Sequence, residues 1–178
     1  METNNPKKIL HVDDQPIYTK SVELFFRKKF NITIANSERE GLAKIANEDF
    51  DIVISDGNLT ASGHDLDSDY FSGARIVDAA KAKGAYIIGM SAEPARFKKI
   101  AKDKMDVVIK KTGDIAILEY VLNNQPDKYE LKKFAVQKEV SEKLGVLSNE
   151  DGSGVTLAQQ DEWMTEYRKI ESKFDYMK

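Results

Sequence analysis

The sequence predicts an α/β fold, a doubly wound five-stranded parallel sheet followed by a helical C-terminal extension. Short, β-branched and nearly uncharged runs recur through the first part of the chain, the kind that forms strands buried on both faces. Amphipathic stretches of helical length separate them, which implies right-handed crossovers between parallel strands. Asp13–Asp14, Asp56, Ser91 and Lys110 each follow one of these runs. A parallel sheet would bring them to one edge, outside the carboxyl ends of the strands, where such sheets bind ligands.

The first strand is Ile9–Val12. Pro16 to Lys29 follows, with Ile17, Val22, Leu24, Phe25 and Phe26 among polar residues, and predicts a helix packed on the sheet and started near Gln15–Pro16. Asn31–Ala35 is the second strand. Ser37 with Glu40 three residues on is a capping box, and Leu42, Ala43, Ile45 and Ala46 form the buried stripe of the helix it starts. The third strand, from Ile52, ends at Asp56. Helix three is expected over Ser72–Lys83, strand four over Ala85–Met90, helix four over Pro94–Asp103, strand five over Asp106–Ile109 and helix five over Gly113–Asn123.

The connection from Gly57 to Gly73 is long for a strand-to-helix link, which usually takes about 2 to 6 residues. Its acidic centre, His64–Asp69, has alternating aspartates but lacks the glycine and closing glutamate spacing of an EF-hand, so it reads as a solvated loop. Asn123–Asp127 marks a domain boundary, with Pro126 ending the helix. The organisation is therefore a domain over 5–124 and a helical extension over 125–178. The extension holds two helical stretches, Lys128–Leu144 and Thr156–Met177, and in the second Trp163, Tyr167, Ile170, Phe174 and Met177 form a seam able to pack on another helix. It reads equally as a hairpin folded onto the chain's own domain and as a dimerisation or partner-binding arm.

With 178 residues and 41% hydrophobic content the chain can bury one full core and carry an appendage. Its 27 basic and 30 acidic residues are evenly mixed, net charge −3, with no basic stripe or basic recognition helix, so DNA is not an expected partner. Cysteine is absent, which excludes disulfides and thiolate metal sites and fits a reducing compartment. No uncharged run approaches the roughly 18 residues of a spanning helix, and Met1–Leu10 has no apolar leader segment. A cytoplasmic protein without a membrane partner is expected.

The convergent residues suit phosphoryl transfer. That chemistry needs a nucleophile, a divalent metal against the developing charge, and a cation and a donor on the transferred oxygens. Asp13, Asp14 and Asp56 together repel one another unless a hard cation such as magnesium sits among them. Ser91 and Lys110 supply the donor and the cation.

In these fragments, Lys8–Pro16, Asp51–Asp56, Ile87–Ala92 and Asp106–Lys110, the chain resembles the receiver domain of bacterial response regulators, the phosphoacceptor half of two-component signalling. The resemblance runs from Lys7 to Asn123 and implies the flavodoxin-like receiver fold. It implies that Asp56 accepts a phosphoryl group from a histidine kinase or phosphotransfer protein, and that Asp14, Asp56 and the backbone carbonyl of Asn58 bind Mg2+. Asp13 would act through a metal-bound water, while Ser91 and Lys110 would hold phosphoryl oxygens. The face made by helix four, strand five and helix five, together with the C-terminal helices, would then control a protein partner or dimerisation. Arg96, Lys98, Lys99 and Lys102 on helix four suit an acidic partner or a solvated face. Any enzymatic activity would be limited to slow self-dephosphorylation, with Asn58 and Glu93 setting its rate.

The family pattern is broken in three places. Lys111 stands where proline usually follows the lysine, Val107 stands at the aromatic position three residues before it, and the connection after Asp56 departs from the usual Pro and Gly spacing, with Ser72–Gly73 matching the motif's end after an insertion. These breaks leave open a phosphate-independent scaffold or dimerisation module. A third reading is a haloacid-dehalogenase-like phosphohydrolase, because Asp56–Thr60 resembles that nucleophile loop. Asn58 there replaces the acid/base aspartate, and Asp13–Asp14 precede the nucleophile instead of following it.

Overall fold

The structure, a computed structural model, describes residues 5–59, 72–101, 104–111, 115–144 and 157–177. The acidic stretch His64–Asp69, read above as a solvated loop, Lys102 and the turn-rich segment 148–154 lie outside the described residues. Five strands, β1 (Lys8–Val12), β2 (Asn31–Ala35), β3 (Ile52–Asp56), β4 (Tyr86–Ser91) and β5 (Val107–Lys110), form one all-parallel sheet in the order β2-β1-β3-β4-β5. The expected fold class is the one observed. The helices between strands are α1 (Pro16–Phe26), α2 (Glu38–Asn47), α3 (Gly73–Ala82) and α4 (Pro94–Ile100).

Alternation along the strands sends Leu10, Val12, Val53 and Ile87 into a core with Ile76, Val77 and Ala80 of α3 and Phe97 of α4. Ile9, Ile52, Ile54 and Ile88 are also fully buried. Each such side chain is worth roughly 1.5–3 kcal/mol relative to exposure, which is why the β-branched runs settle as central strands.

Helix starts follow local chemistry. Ser37 Oγ accepts the amide of Glu40 at 3.2 Å, and Glu40 Oε2 reaches back to the amide of Asn36 at 2.8 Å, so the capping box closes one residue further out than its usual form. In α1 the buried residues are Thr19, Val22 and Phe26. Ile17, Leu24 and Phe25, expected on the packed face, are instead 71%, 66% and 61% exposed. One helix stripe three and four residues apart cannot hold both sets.

The chain divides into two compact units, Met1–Gly113 and Asp114–Lys178. The second holds α5 (Ile115–Asn124), α6 (Lys128–Leu144), α7 (Leu157–Glu171) and a short 3-10 segment, Ser172–Met177. The Asn123–Asp127 break thus lies within that unit, as the corner between α5 and α6. Gln125 takes φ 47°, its amide bonds to Val121 O at 2.8 Å, and Asp127 Oδ1 caps α6 by accepting from Tyr129 and Glu130. Tyr120 of α5 stacks on Phe134 of α6 with ring centroids 3.9 Å apart. Val136 and Val140 of α6 pack with Ile170 of α7, flanked by Trp163, Tyr167 and Phe174, which places the expected seam in a helix–helix core.

Candidate functional site

The sheet order reverses about β1, whose neighbours β2 and β3 connect to opposite sides, and the crevice at the strands' carboxyl ends opens there. Asp13 leaves the end of β1 with its amide bonded to Ala35 O at 3.0 Å, and Asp56 is the last residue of β3. Oxygens of Asp13, Asp14 and Asp56 come within 4.8 Å of one another. Asp13 and Asp56 are buried and Asp14 is half-buried.

The cation among them is Lys111. Its Nζ lies 2.7 Å from Asp56 Oδ2 and 3.0 and 2.9 Å from the two oxygens of Asp13, and 4.5 Å above the ring of Tyr18 in α1. Lys110, expected in this place, is exposed. The reason is strand parity: Lys110 pairs with Ser91 across β4 and β5, and the amide of Lys111 extends the ladder to Ser91 O at 2.9 Å, so the next side chain turns to the opposite face. With Lys111 in this place, Thr112 follows the lysine and the buried Val108 precedes it by three residues. The family's proline and aromatic positions remain without proline and aromatic.

Three carboxylates beside one ammonium leave excess negative charge. Burial pushes Asp56 up to about 6 against the opposing pull of Lys111. Asp14 is also held above the usual carboxylate range, first by burial and then by the charge of Asp13. For Lys111 burial disfavours the charged form, but the bonds to Asp56 and Asp13 outweigh it and raise its affinity for the proton. Asp14 Oδ1 is buried without a hydrogen-bond partner, and Asp13 Oδ2 has only the Lys111 ammonium at 2.9 Å. Such oxygens suit a hard divalent cation, and the residues present fit one.

The remaining expected residues frame this cluster. Ser91 ends β4 one residue past Met90, the register partner of Asp56, and is buried, with its Oγ accepting the amide of Glu93 at 3.1 Å. Asn58 is exposed in the turn after Asp56. That turn is clamped to the start of α3: Gly57 N bonds to Met90 O at 3.2 Å, Gly73 N to Gly57 O at 3.2 Å and Leu59 N to Ser72 Oγ at 2.7 Å. A Cβ on Gly73 would stand 2.0 Å from Asp56 O, so only glycine allows this approach. Ser72–Gly73 therefore closes the long connection beside Asp56.

Besides Lys111 and Tyr18, the sequence reading passed over His11. It is fully buried in β1 on the same face as Asp13, with Nε2 4.0 Å from Asp13 Oδ2 and neither ring nitrogen bonded. Burial, then the charge of Lys111, pushes the ring down to about 3, so it is neutral. Its signal was a polar residue among the apolar Ile9, Leu10 and Val12, two positions before the acids.

No protein-family model matches the chain, and no curated protein does. Solved structures do match in fold. The response regulator TrrA from Thermotoga maritima, in complex with Mg2+–BeF, is 22% identical over 66% of this chain and 96% of its own, with a TM-score of 0.55. A CheY-like receiver domain protein from Methanospirillum hungatei is 26% identical over 76% and 99%, TM-score 0.53. A Burkholderia pseudomallei response regulator with a phosphorylated aspartic acid, a calcium ion and citrate is 17% identical over 79% and 88%, TM-score 0.56. The chain is thus similar in fold to CheY-like receiver domains and carries further helices at its C-terminal end.

Proposed function

We propose that this protein is a phosphorylation-controlled switch of a two-component system, with Asp56 as the phosphoacceptor. The observation that carries this reading is the buried acid cluster bridged by Lys111 at the sheet's switch point. Similar folds in which an aspartate is phosphorylated, or Mg2+–BeF is bound, support it.

In this reading a carboxylate oxygen of Asp56 attacks phosphorus, and the bond from phosphorus to the donor's nitrogen breaks with its electron pair leaving on that nitrogen. The product is an acyl phosphate on Asp56. Asp14, Asp56 and the carbonyl of Asn58 would hold Mg2+, with Asp13 acting on it through water, and the ion would supply positive charge against the transferred oxygens. Lys111, already 2.7 Å from Asp56, supplies the second cation, and Ser91 Oγ donates to a phosphoryl oxygen after leaving the amide of Glu93. The added charge of about −1.5 to −2 then draws both residues and biases α4, β5 and α5 between two packings. The donor is a histidine kinase or phosphotransfer protein, the output a protein partner or a dimer, and the setting cytoplasmic. The reading includes no enzymatic turnover beyond slow loss of the phosphoryl group.

Intact mass with magnesium and acetyl phosphate tests this. Wild type should gain one phosphoryl mass, and Asp56→Asn should gain none. No gain in wild type, with the fold and magnesium binding intact, favours the phosphate-independent scaffold instead. Size exclusion of the phosphorylated sample reads whether dimerisation is the output.

A further inference from the structure

Two buried polar atoms face each other beside the acid cluster with no hydrogen bond between them. His11 Nε2 and Asp13 Oδ2 are 4.0 Å apart, both side chains are 0% exposed, neither ring nitrogen has a hydrogen-bond partner, and Oδ2 has only the Lys111 ammonium 2.9 Å away. A strand directs residues two apart to the same face, so this pairing is built into β1. A histidine buried with both nitrogens unbonded leaves two polar atoms stripped of water with nothing in return, a cost that a leucine would avoid. The arrangement is therefore unfavourable in this state and calls for another state in which the ring is used.

Resting on the reading of Asp56 as phosphoacceptor, we propose that His11 is a positioning residue for Asp13, its Nε2–H taking Asp13 Oδ2 when Lys111 turns to a phosphoryl group on Asp56. The donor count carries this. Asp13 Oδ1 keeps the amide of Gln15 at 2.8 Å whatever Lys111 does. Oδ2 has only the proximity of Lys111 Nζ, at 2.9 Å, and Lys111 also serves Asp56. A phosphoryl group competes for that ammonium with about 1.5 to 2 further negative charges. Once Lys111 has left, Asp13 would keep a buried oxygen with no protein donor. The neutral ring offers one N–H on the side facing that oxygen, and closing by about 1 Å makes a charge-assisted hydrogen bond of ordinary length. His11 thereby releases Lys111 from one of its two carboxylates and leaves the metal ligands in place.

The test uses the full chain with magnesium and beryllofluoride as the phosphoryl mimic. In wild type, nitrogen-15 NMR should find the His11 ring protonated on Nε2, with shifts that move on saturation with beryllofluoride. His11→Leu should weaken beryllofluoride binding by about tenfold while standing at least as firm in urea, and His11→Gln, which keeps an N–H donor, should stay within about twofold of wild type. Protonation on Nδ1, shifts unmoved at saturation, an unweakened His11→Leu, or a His11→Gln as weak as His11→Leu each overturn the assignment. The NMR result stands even where a variant folds poorly. Wild type that binds no beryllofluoride and takes no phosphoryl group sinks the reading of Asp56, and this proposal with it; normal wild-type binding that ignores His11 sinks this proposal alone.

Discussion

Lys110 and Lys111 are neighbours in sequence and lie in opposite surroundings, so mutation separates them. Lys111→Ala strips a buried pair of carboxylates of their shared cation, a loss of the kind that costs about 3–5 kcal/mol. Urea unfolding should show that loss, and magnesium should recover part of it by replacing the missing charge. Lys110→Ala should leave stability within about 0.5 kcal/mol and phosphorylation by acetyl phosphate within about twofold of wild type. Which lysine enters the site was not legible from the chain, because Val107, Val108 and Ile109 are all buried and offer no alternation from which to count. A one-residue slip in such a run moves the side chain to the other face. His11 makes a pH prediction of its own. Unfolded, it takes up a proton near pH 6.5, and folded only near 3, so its contribution to stability is present above 6.5 and is lost as the pH falls towards 3. Asp56, raised to about 6, works in the opposite sense between 3.8 and 6. The difference between wild type and His11→Leu isolates the histidine: the variant should gain on wild type by on the order of 4 kcal/mol as the pH is lowered from 7 to 3, read by urea unfolding. An unchanged difference across that range would contradict the burial argument.

The elements were legible where one local rule decides them. The β-branched runs became the five strands, Ser37 and Glu40 start α2 as expected, and Pro16 and Pro94 sit in the first turns of α1 and α4. Helix α1 was harder, because apolar residues lie on two sides of it and periodicity alone does not choose between them. Thr19, Val22 and Phe26 form the buried stripe, and Leu24 and Phe25 lie off it. Phe26→Ala should therefore cost about 3–5 kcal/mol and Phe25→Ala under about 1, measured by the same urea transition. Comparable losses would place both rings in the core. The end of the long connection is as sharply constrained. Gly73→Ala sets a methyl 2.0 Å from Asp56 O, so it should displace the turn that carries Asp56 and Asn58 and lower both stability and magnesium affinity.

At the scale of the whole molecule, the two units carry separate cores. Val136, Val140 and Ile170 form that of the second, with Trp163, the chain's single tryptophan, against it. Val140→Ala should lower the transition seen by Trp163 emission by about 1–2.5 kcal/mol. The sequence seam pointed to helix packing here, but spacing along one helix does not name its partner, which the fold shows to be α6. Among the described residues no helix is long and apolar enough to cross a membrane. In the first unit the acids that follow β1 and the one that ends β3 meet the lysine after β5 at one edge of the sheet. Borohydride reduction after treatment with magnesium and acetyl phosphate converts an aspartyl phosphate to homoserine, and peptide mapping then locates it. Homoserine should appear at position 56 alone; label at Asp13 or Asp14, or none on a folded, magnesium-binding chain, would rule out Asp56 as the phosphoacceptor.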